Sequence, residues 1–225
     1  MRRFGATVNE VQDGVFQVSP GGYKAVDTVV EGNGSAASYL AGLATLHGST
    51  ITLNNLNHET DQGDLRFLEI CQQLGAQVMV TPSGIRIKGP SGGCMRQVSS
   101  AIPMDDIPDT APTLIAMAPF IPGVTKITGL STLRIKECDR LTAPVHELRK
   151  LNVPIEVGHD WIAVGELPST RQEGNQVVFE TYNDHRMAMS LALTASRVGG
   201  IEITNPSCVN KTYPHFWRDL ELLGA

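Results

Sequence analysis

Asp64-Leu65-Arg66-Phe67-Leu68-Glu69-Ile70-Cys71-Gln72-Gln73-Leu74, followed by Gln77-Val78-Met79-Val80, Pro82-Ser83-Gly84 and Ile85-Arg86-Ile87, decides the fold class. The first run places apolar residues at helical spacing. The next two are short β-type runs rich in branched side chains, joined by a Pro-Ser-Gly turn. A helix therefore leads into a hairpin.

Upstream, Thr28-Val29-Val30 reads as a strand, residues 35–46 as a helix and Thr50-Ile51-Thr52-Leu53 as a strand. The same order recurs downstream: a strand near Arg96-Gln97-Val98, a helix over 108–120, Lys126-Ile127-Thr128, and a helix over 137–151. Ile155-Glu156-Val157 and Trp161-Ile162-Ala163-Val164 follow, joined by Gly158-His159-Asp160. A third pass begins with Gln176-Val177-Val178-Phe179 and a helix over 184–198. Ile201-Glu202-Ile203-Thr204 and a last helix over 214–223 complete it. The unit is β-α-β-α-β-β with a period of roughly 75 residues, longer than a solenoid repeat. Each unit pairs its strands into a small sheet with helices on one face. Three units that bury those helices against one another make one α/β (α+β) domain with internal pseudo-three-fold symmetry.

Residues 1–24 stand outside that pattern. Phe4 to Val8 and Val15 to Val18 flank an Asp13-Gly14 hairpin turn, and Ser19-Pro20-Gly21-Gly22 reads as a linker. The expected organisation is residues 1–24 as the end of a preceding domain with its crossover linker, and 25–225 as the repeat domain.

The 225 residues are 41% hydrophobic and 18% charged, ordinary for a soluble globular protein. Without an apolar run of about 18 residues, no membrane partner is expected, and the start lacks a secretory signal pattern. Cys71, Cys94, Cys138 and Cys208 are scattered, giving neither a metal site nor a disulfide framework and suiting a reducing cytoplasm. A net charge of −5 argues against nucleic acid as a partner. It leaves room for a small anion held by local cations.

Three segments concentrate chemistry. In Asp105-Asp106-Ile107-Pro108-Asp109 the plain structural reading is a helix start, with Pro at its first position and Asp beside it. The functional reading is a base, since crowded carboxylates push one pKa upward. Lys136 and Arg140, four apart with Glu137 between them, fit either a solvated helix face or a cationic helix start that needs an anion. In Asn183-Asp184-His185-Arg186, Asp184 is an N-cap, while His185 and Arg186 occupy a first turn that can hold phosphate or carboxylate. Lys211 adds a cation before the last helix; alone, it reads as a surface lysine. Periodicity and spacing together describe a polyanion-binding α/β domain with a candidate base, and name no reaction.

Val30-Glu31-Gly32-Asn33-Gly34-Ser35-Ala36-Ala37-Ser38-Tyr39, Gln62-Gly63-Asp64, Asp106-Ile107-Pro108-Asp109, Lys136-Glu137-Cys138-Asp139-Arg140-Leu141, Tyr182-Asn183-Asp184-His185-Arg186-Met187-Ala188-Met189 and Cys208-Val209-Asn210-Lys211-Thr212-Tyr213-Pro214 occur in that order. Together, over nearly the whole chain, they resemble the EPSP synthase family, 3-phosphoshikimate 1-carboxyvinyltransferases, in its C-terminal half.

The resemblance implies an inside-out α/β barrel of three repeated units, one of two domains that close over the substrates. It implies transfer of the carboxyvinyl group of phosphoenolpyruvate to the 5-hydroxyl of 3-phosphoshikimate, within the shikimate route to chorismate and aromatic amino acids. No metal and no organic cofactor is implied. Asp109 would accept the hydroxyl proton, Glu137 would give a proton to the methylene carbon, and Lys136 would assist at the hydroxyl. Arg140, Arg186 and Lys211 would hold phosphoenolpyruvate. Thr132 stands where many members carry an asparagine that touches the shikimate ring. The family's N-terminal domain and the N-terminal segment that closes the last sheet are expected to be missing, leaving this chain inactive alone. The alternatives are a non-catalytic fragment or association module, and a UDP-N-acetylglucosamine carboxyvinyltransferase of the same fold.

Overall fold

A computed structural model describes residues 1–56, 60–169 and 176–224. The described residues form two compact units, Met1–Glu31 and Gly32–Ala225.

In the first unit, β1 (Val8–Gln12) and β2 (Val15–Val18) pair antiparallel around the Asp13-Gly14 turn. Residues 28–30 form no strand, and Val29 and Val30 are exposed. An extended segment gains little without a ladder to join.

The second unit is mixed α/β. Helix α1 (Gly34–His47) leads to β3 (Thr50–Asn54), α2 (Phe67–Gln73) and the hairpin β4 (Gln77–Thr81)–β5 (Gly84–Lys88). Strand β5 lies between β3 and β4, antiparallel to both. The short strand β6 (Ile102–Pro103) then precedes α3 (Ala111–Met117), β7 (Thr125–Thr128), α4 (Ala143–Arg149) and the hairpin β8 (Ile155–Val157)–β9 (Trp161–Val164). These strands form one sheet in the order β6-β7-β9-β8, with β6 and β7 parallel across the α3 crossover. Finally β10 (Val177–Phe179), α5 (His185–Val198), β11 (Ile201–Ile203) and α6 (Phe216–Leu222) give a two-stranded parallel sheet. No helix among the described residues is long and apolar enough to cross a membrane.

Helices α1, α3 and α5 pack on one another. All three are buried over most of their circumference, as their Ala, Leu, Met and Ser content allows. Gly42 marks the junction: a β-carbon there would meet Leu193 Cδ2 at 2.8 Å, Met117 Sδ at 2.9 Å and Thr113 Cγ2 at 3.2 Å. Some polar groups inside this core are paired, while the buried Ser190 hydroxyl has no partner among the described residues. The Ser38 and Thr113 hydroxyls are 3.0 Å apart, and Thr194 Oγ1 donates to the Ala116 carbonyl at 2.9 Å.

Two further segments depart from the sequence reading. The strand expected near Arg96-Gln97-Val98 forms later, at β6, because Arg96 N donates to the Leu74 carbonyl at 2.9 Å and ties that stretch to the end of α2. The helix expected over 137–151 runs only from Ala143 to Arg149. Pro144 has no N–H for the Arg140 carbonyl, so it sits in the first helical turn, and the helix cannot extend back through residues 137–140. Asp139 stabilises the non-helical loop by accepting from Leu141 N and Thr142 N, both at 3.0 Å.

Candidate functional site

Four segments converge on one ionic cluster. Asp109 lies in the 3-10 turn Pro108–Thr110 that feeds α3, where Pro108 fixes the entry. Lys136, Glu137 and Arg140 come from the loop before α4. Asp184 caps α5, accepting from Arg186 N at 2.8 Å, and puts Arg186 in the first turn. Lys211 ends the 3-10 turn Pro206–Lys211. Lys136 and Arg140 therefore meet through a loop and not along a helix face; the i,i+4 geometry expected of them is absent.

Asp109 is the anionic centre. Its Oδ1 is 3.3 Å from Lys136 Nζ and 3.4 Å from Arg140 Nη1, and its Oδ2 is 3.0 Å from Arg186 Nη2. Arg186 Nη1 also donates to the Asp109 carbonyl at 3.2 Å. Mutual repulsion among the acidic residues, expected from their spacing, does not govern the site. Asp106 turns away to Arg66 at 2.7 Å, while Asp109 faces three cations.

Arg140 organises the other carboxylates. Its side chain is 2% exposed; Nε donates to Asp184 Oδ2 at 2.7 Å, and Nη2 donates to Asp184 Oδ1 at 3.1 Å and to Glu137 Oε2 at 2.5 Å. Burial alone would lower the Arg140 pKa, but the hydrogen bonds and charge of Asp184 outweigh it and the net direction is up. For Asp184, burial raises the pKa and the Arg140 guanidinium more than offsets that, leaving it below the usual carboxylate range. Both stay charged, as a buried pair must. Cys138 Sγ donates to Asp184 Oδ2 at 3.4 Å, and burial pushes its thiol up to about 12.

Glu137 bridges Arg140 and Lys211, the latter at 2.5 Å from Oε1. The Lys211 hydrogen bond holds its carboxyl down at about 2. His185 is buried beside Asp184 and Glu137, with Nδ1 at 3.8 Å and 4.0 Å from their oxygens, and burial lowers its pKa. At the start of α1, Ser35 Oγ donates to Asp64 Oδ2 and accepts from Arg186 Nη2 at 3.5 Å. Gln62 fixes that start by accepting from Gly34 N at 2.6 Å.

Asp109, Lys136, Glu137, Arg140, Arg186 and Lys211 are thus brought together, four cations against two carboxylates, with Asp184 behind them. Thr132 is not: it is exposed on the 3-10 turn Ser131–Ile135, and no hydrogen bond to the cluster is found among the described residues. Sequence reasoning gave Asp184 only its capping role and missed it as the buried counter-ion of Arg140. The two are 44 positions apart, and no local spacing carries the contact. The chemistry available is a proton acceptor, a carboxylate that can become an acid, and several donors for an entering dianion.

A family model described as EPSP synthase (3-phosphoshikimate 1-carboxyvinyltransferase) matches residues 1–220. The 3-phosphoshikimate 1-carboxyvinyltransferase of Nostoc punctiforme is 36% identical over 99% of this chain and 51% of its own length. 3-Phosphoshikimate 1-carboxyvinyltransferase 2 of Nicotiana tabacum is 34% identical over 98% of this chain and 66% of its own length. In fold, the chain is similar to an EPSP synthase from Acinetobacter baumannii, with a TM-score of 0.79 at 23% identity, covering 98% of this chain and 52% of that one. It is also similar to the enolpyruvyl transferase NikO from Streptomyces tendae, with a TM-score of 0.67 at 17% identity, covering 100% and 51%. The chain spans about half the length of most of these proteins.

Proposed function

The chain belongs to the EPSP synthase family, and we propose that it forms one wall of an active site that transfers the carboxyvinyl group of phosphoenolpyruvate to the 5-hydroxyl of 3-phosphoshikimate. The observation that carries this reading is the single cluster in which Asp109 meets Lys136, Arg140 and Arg186 while Glu137 meets Arg140 and Lys211. In the proposed reaction Asp109 takes the hydroxyl proton as that oxygen bonds to C2 of phosphoenolpyruvate, and Glu137 delivers a proton to C3. The tetrahedral adduct then expels phosphate and loses a proton from C3, which restores the vinyl group. Lys136 steers the hydroxyl. Arg140, Arg186 and Lys211 receive the phosphate and carboxylate, where charge-assisted donors act most strongly.

The same reading holds that the three strand-and-helix passes, two of them closed by a hairpin, are one repeat around a pseudo-three-fold axis, in an inside-out α/β barrel. The helix junction at Gly42 supports it. The remaining half of the site comes from a second domain, so the chain by itself turns over little or no substrate, and a cytoplasmic setting fits. Losing several phosphate contacts, each worth ~1.5–3 kcal/mol, costs orders of magnitude in rate.

The test is phosphate release from phosphoenolpyruvate and 3-phosphoshikimate by this chain, with and without a separately made N-terminal half of a relative. Activity that appears only on mixing supports the reading. Near-full rates from the chain alone, or silence on mixing with no phosphoenolpyruvate binding, overturn it in favour of a different site or a non-catalytic fragment. Competition by a UDP-sugar in place of 3-phosphoshikimate would shift the assignment to the other carboxyvinyltransferase.

A further inference from the structure

Immediately before Asp184 the chain takes two consecutive left-handed residues, Tyr182 at φ 55° and Asn183 at φ 56°. A side chain in that region crowds the following carbonyl, and the cost is greatest for a bulky residue such as tyrosine. Such a turn persists only when its surroundings over-determine it. Here they do. The Tyr182 hydroxyl donates to Glu147 Oε1 at 2.7 Å, and Glu180 N donates to Glu147 Oε2 at 2.8 Å. One carboxylate, 1% exposed, thus grips the turn from both sides, and Lys150 Nζ neutralises it at 2.6 Å. Asn183 Oδ1 accepts from Asn205 Nδ2 at 2.9 Å, and Asp184 N closes the turn onto the Thr181 carbonyl at 2.9 Å. Packing is a poor reason for a tyrosine here, because Tyr182 is 40% exposed.

Glu147 sits on α4, which follows the loop bearing Lys136, Glu137 and Arg140. Tyr182 precedes the residues that cap and open α5. We propose that Glu147 and Tyr182 are positioning residues: a strut between the two site-bearing segments that holds the strained turn where Asp184 meets Arg140 and Arg186 meets Asp109. The proposal rests on the reading above that this cluster is where substrate binds.

Two substitutions at one position separate a strut from ordinary packing. Tyr182→Phe keeps the ring and the strained backbone but removes the hydroxyl, whereas Tyr182→Gly removes ring and strain together. In the full 225-residue chain, solvent exchange of the Arg140 Nε–Hε proton, followed by NMR, reports the Arg140–Asp184 contact without any ligand. Backbone amides of α1 serve as the reference for global stability. Tyr182→Phe should speed the Arg140 proton about tenfold over that reference, the size expected for a lost hydrogen bond to a charged group. Tyr182→Gly should speed it less, and Glu147→Gln, which keeps an acceptor for the hydroxyl, should fall between Tyr182→Phe and the unaltered chain. A glycine variant as loose as the phenylalanine one, no change in either, or equal loosening throughout α1 would overturn the strut. Calorimetric titration with phosphoenolpyruvate should follow the same order of affinities. An unaltered chain that binds no phosphoenolpyruvate would count against the substrate reading, while the exchange rates still decide whether the strut exists.

Discussion

Arg140 Nε lies 2.7 Å from Asp184 Oδ2, and the two side chains, 2% and 0% exposed, are withdrawn from water together. Removing one partner of such a pair strands the other charge. Asp184→Ala should therefore destabilise the chain by ~3–5 kcal/mol in urea unfolding. Asp184→Asn retains an acceptor for Arg186 N and for one guanidinium N–H, and should cost clearly less. Equal losses for the two variants would show that the charge, which both remove, and not the acceptor that asparagine keeps, carries the stability.

Glu137 is held at about 2 chiefly by its hydrogen bond from Lys211, with a backbone hydrogen bond and then the Arg140 charge adding to it against the opposing effect of burial. Lys211→Ala should move its titration, read by carboxyl carbon chemical shift, up towards the ordinary range near 4.5. The same logic gives the proposed reaction its timing. A dianion that draws Lys211 and Arg140 towards itself weakens their hold on Glu137 and lets that carboxyl pick up the proton it is to deliver. A Glu137 resonance that stays unmoved in the Lys211 variant would contradict this.

The pH dependence of stability follows with its sign fixed. A carboxyl whose folded pKa is depressed binds fewer protons folded than unfolded, so its contribution is complete above the unfolded value and is lost as pH falls. For Glu137 that window runs from 4.5 down to about 2; Asp184 is shifted in the same direction. His185, lowered by burial, adds a loss that begins as pH falls below 6.5. Stability should thus decline from mildly acidic pH downward, and the Lys211→Ala chain should lose less of it below 4.5. Unfolding midpoints measured across that range are the check.

Arg134 spans the β8–β9 turn and the site loop. It donates to the Gly158 carbonyl at 2.7 Å, to the His159 carbonyl at 2.8 Å and to Asp139 Oδ2 at 3.0 Å. Arg134→Lys supplies a single ammonium where a planar fork is needed. Faster amide exchange at residues 141 and 142, whose N–H groups Asp139 accepts, is the expected result. Unchanged exchange there would confine Arg134 to the hairpin.

Gly42→Val should destabilise the chain by ~1–3 kcal/mol through overpacking, seen as a lower thermal midpoint. Its new methyl groups extend beyond a β-carbon already within 3.2 Å of three neighbours.

The hairpins and long helices were legible because period and turn chemistry are local: Pro82-Ser83-Gly84 and residues 185–198 fall where the pattern puts them. Pro144 was also legible in principle, since a residue without an N–H four positions after Arg140 forbids the helix that residues 137–151 otherwise suggest. Strand pairing was not. Thr28-Val29-Val30 has the composition of a strand but no ladder, and the parallel partner of β7 proved to be Ile102–Pro103. The site was legible as a set of motifs and illegible as contacts. Asp184 announces its capping role within its own segment, whereas its pairing with Arg140 depends on how α5 packs beside the loop before α4.

The meeting of three helices at Gly42 bears on how this molecule comes into being. Ser35, Asp109 and Arg186 are each presented by the start of a helix, or the turn feeding it, and those helices reach register only after residues more than a hundred positions apart have met. A cut between these segments should therefore loosen all three helix starts together, since Arg186 reaches Ser35 from 151 positions away.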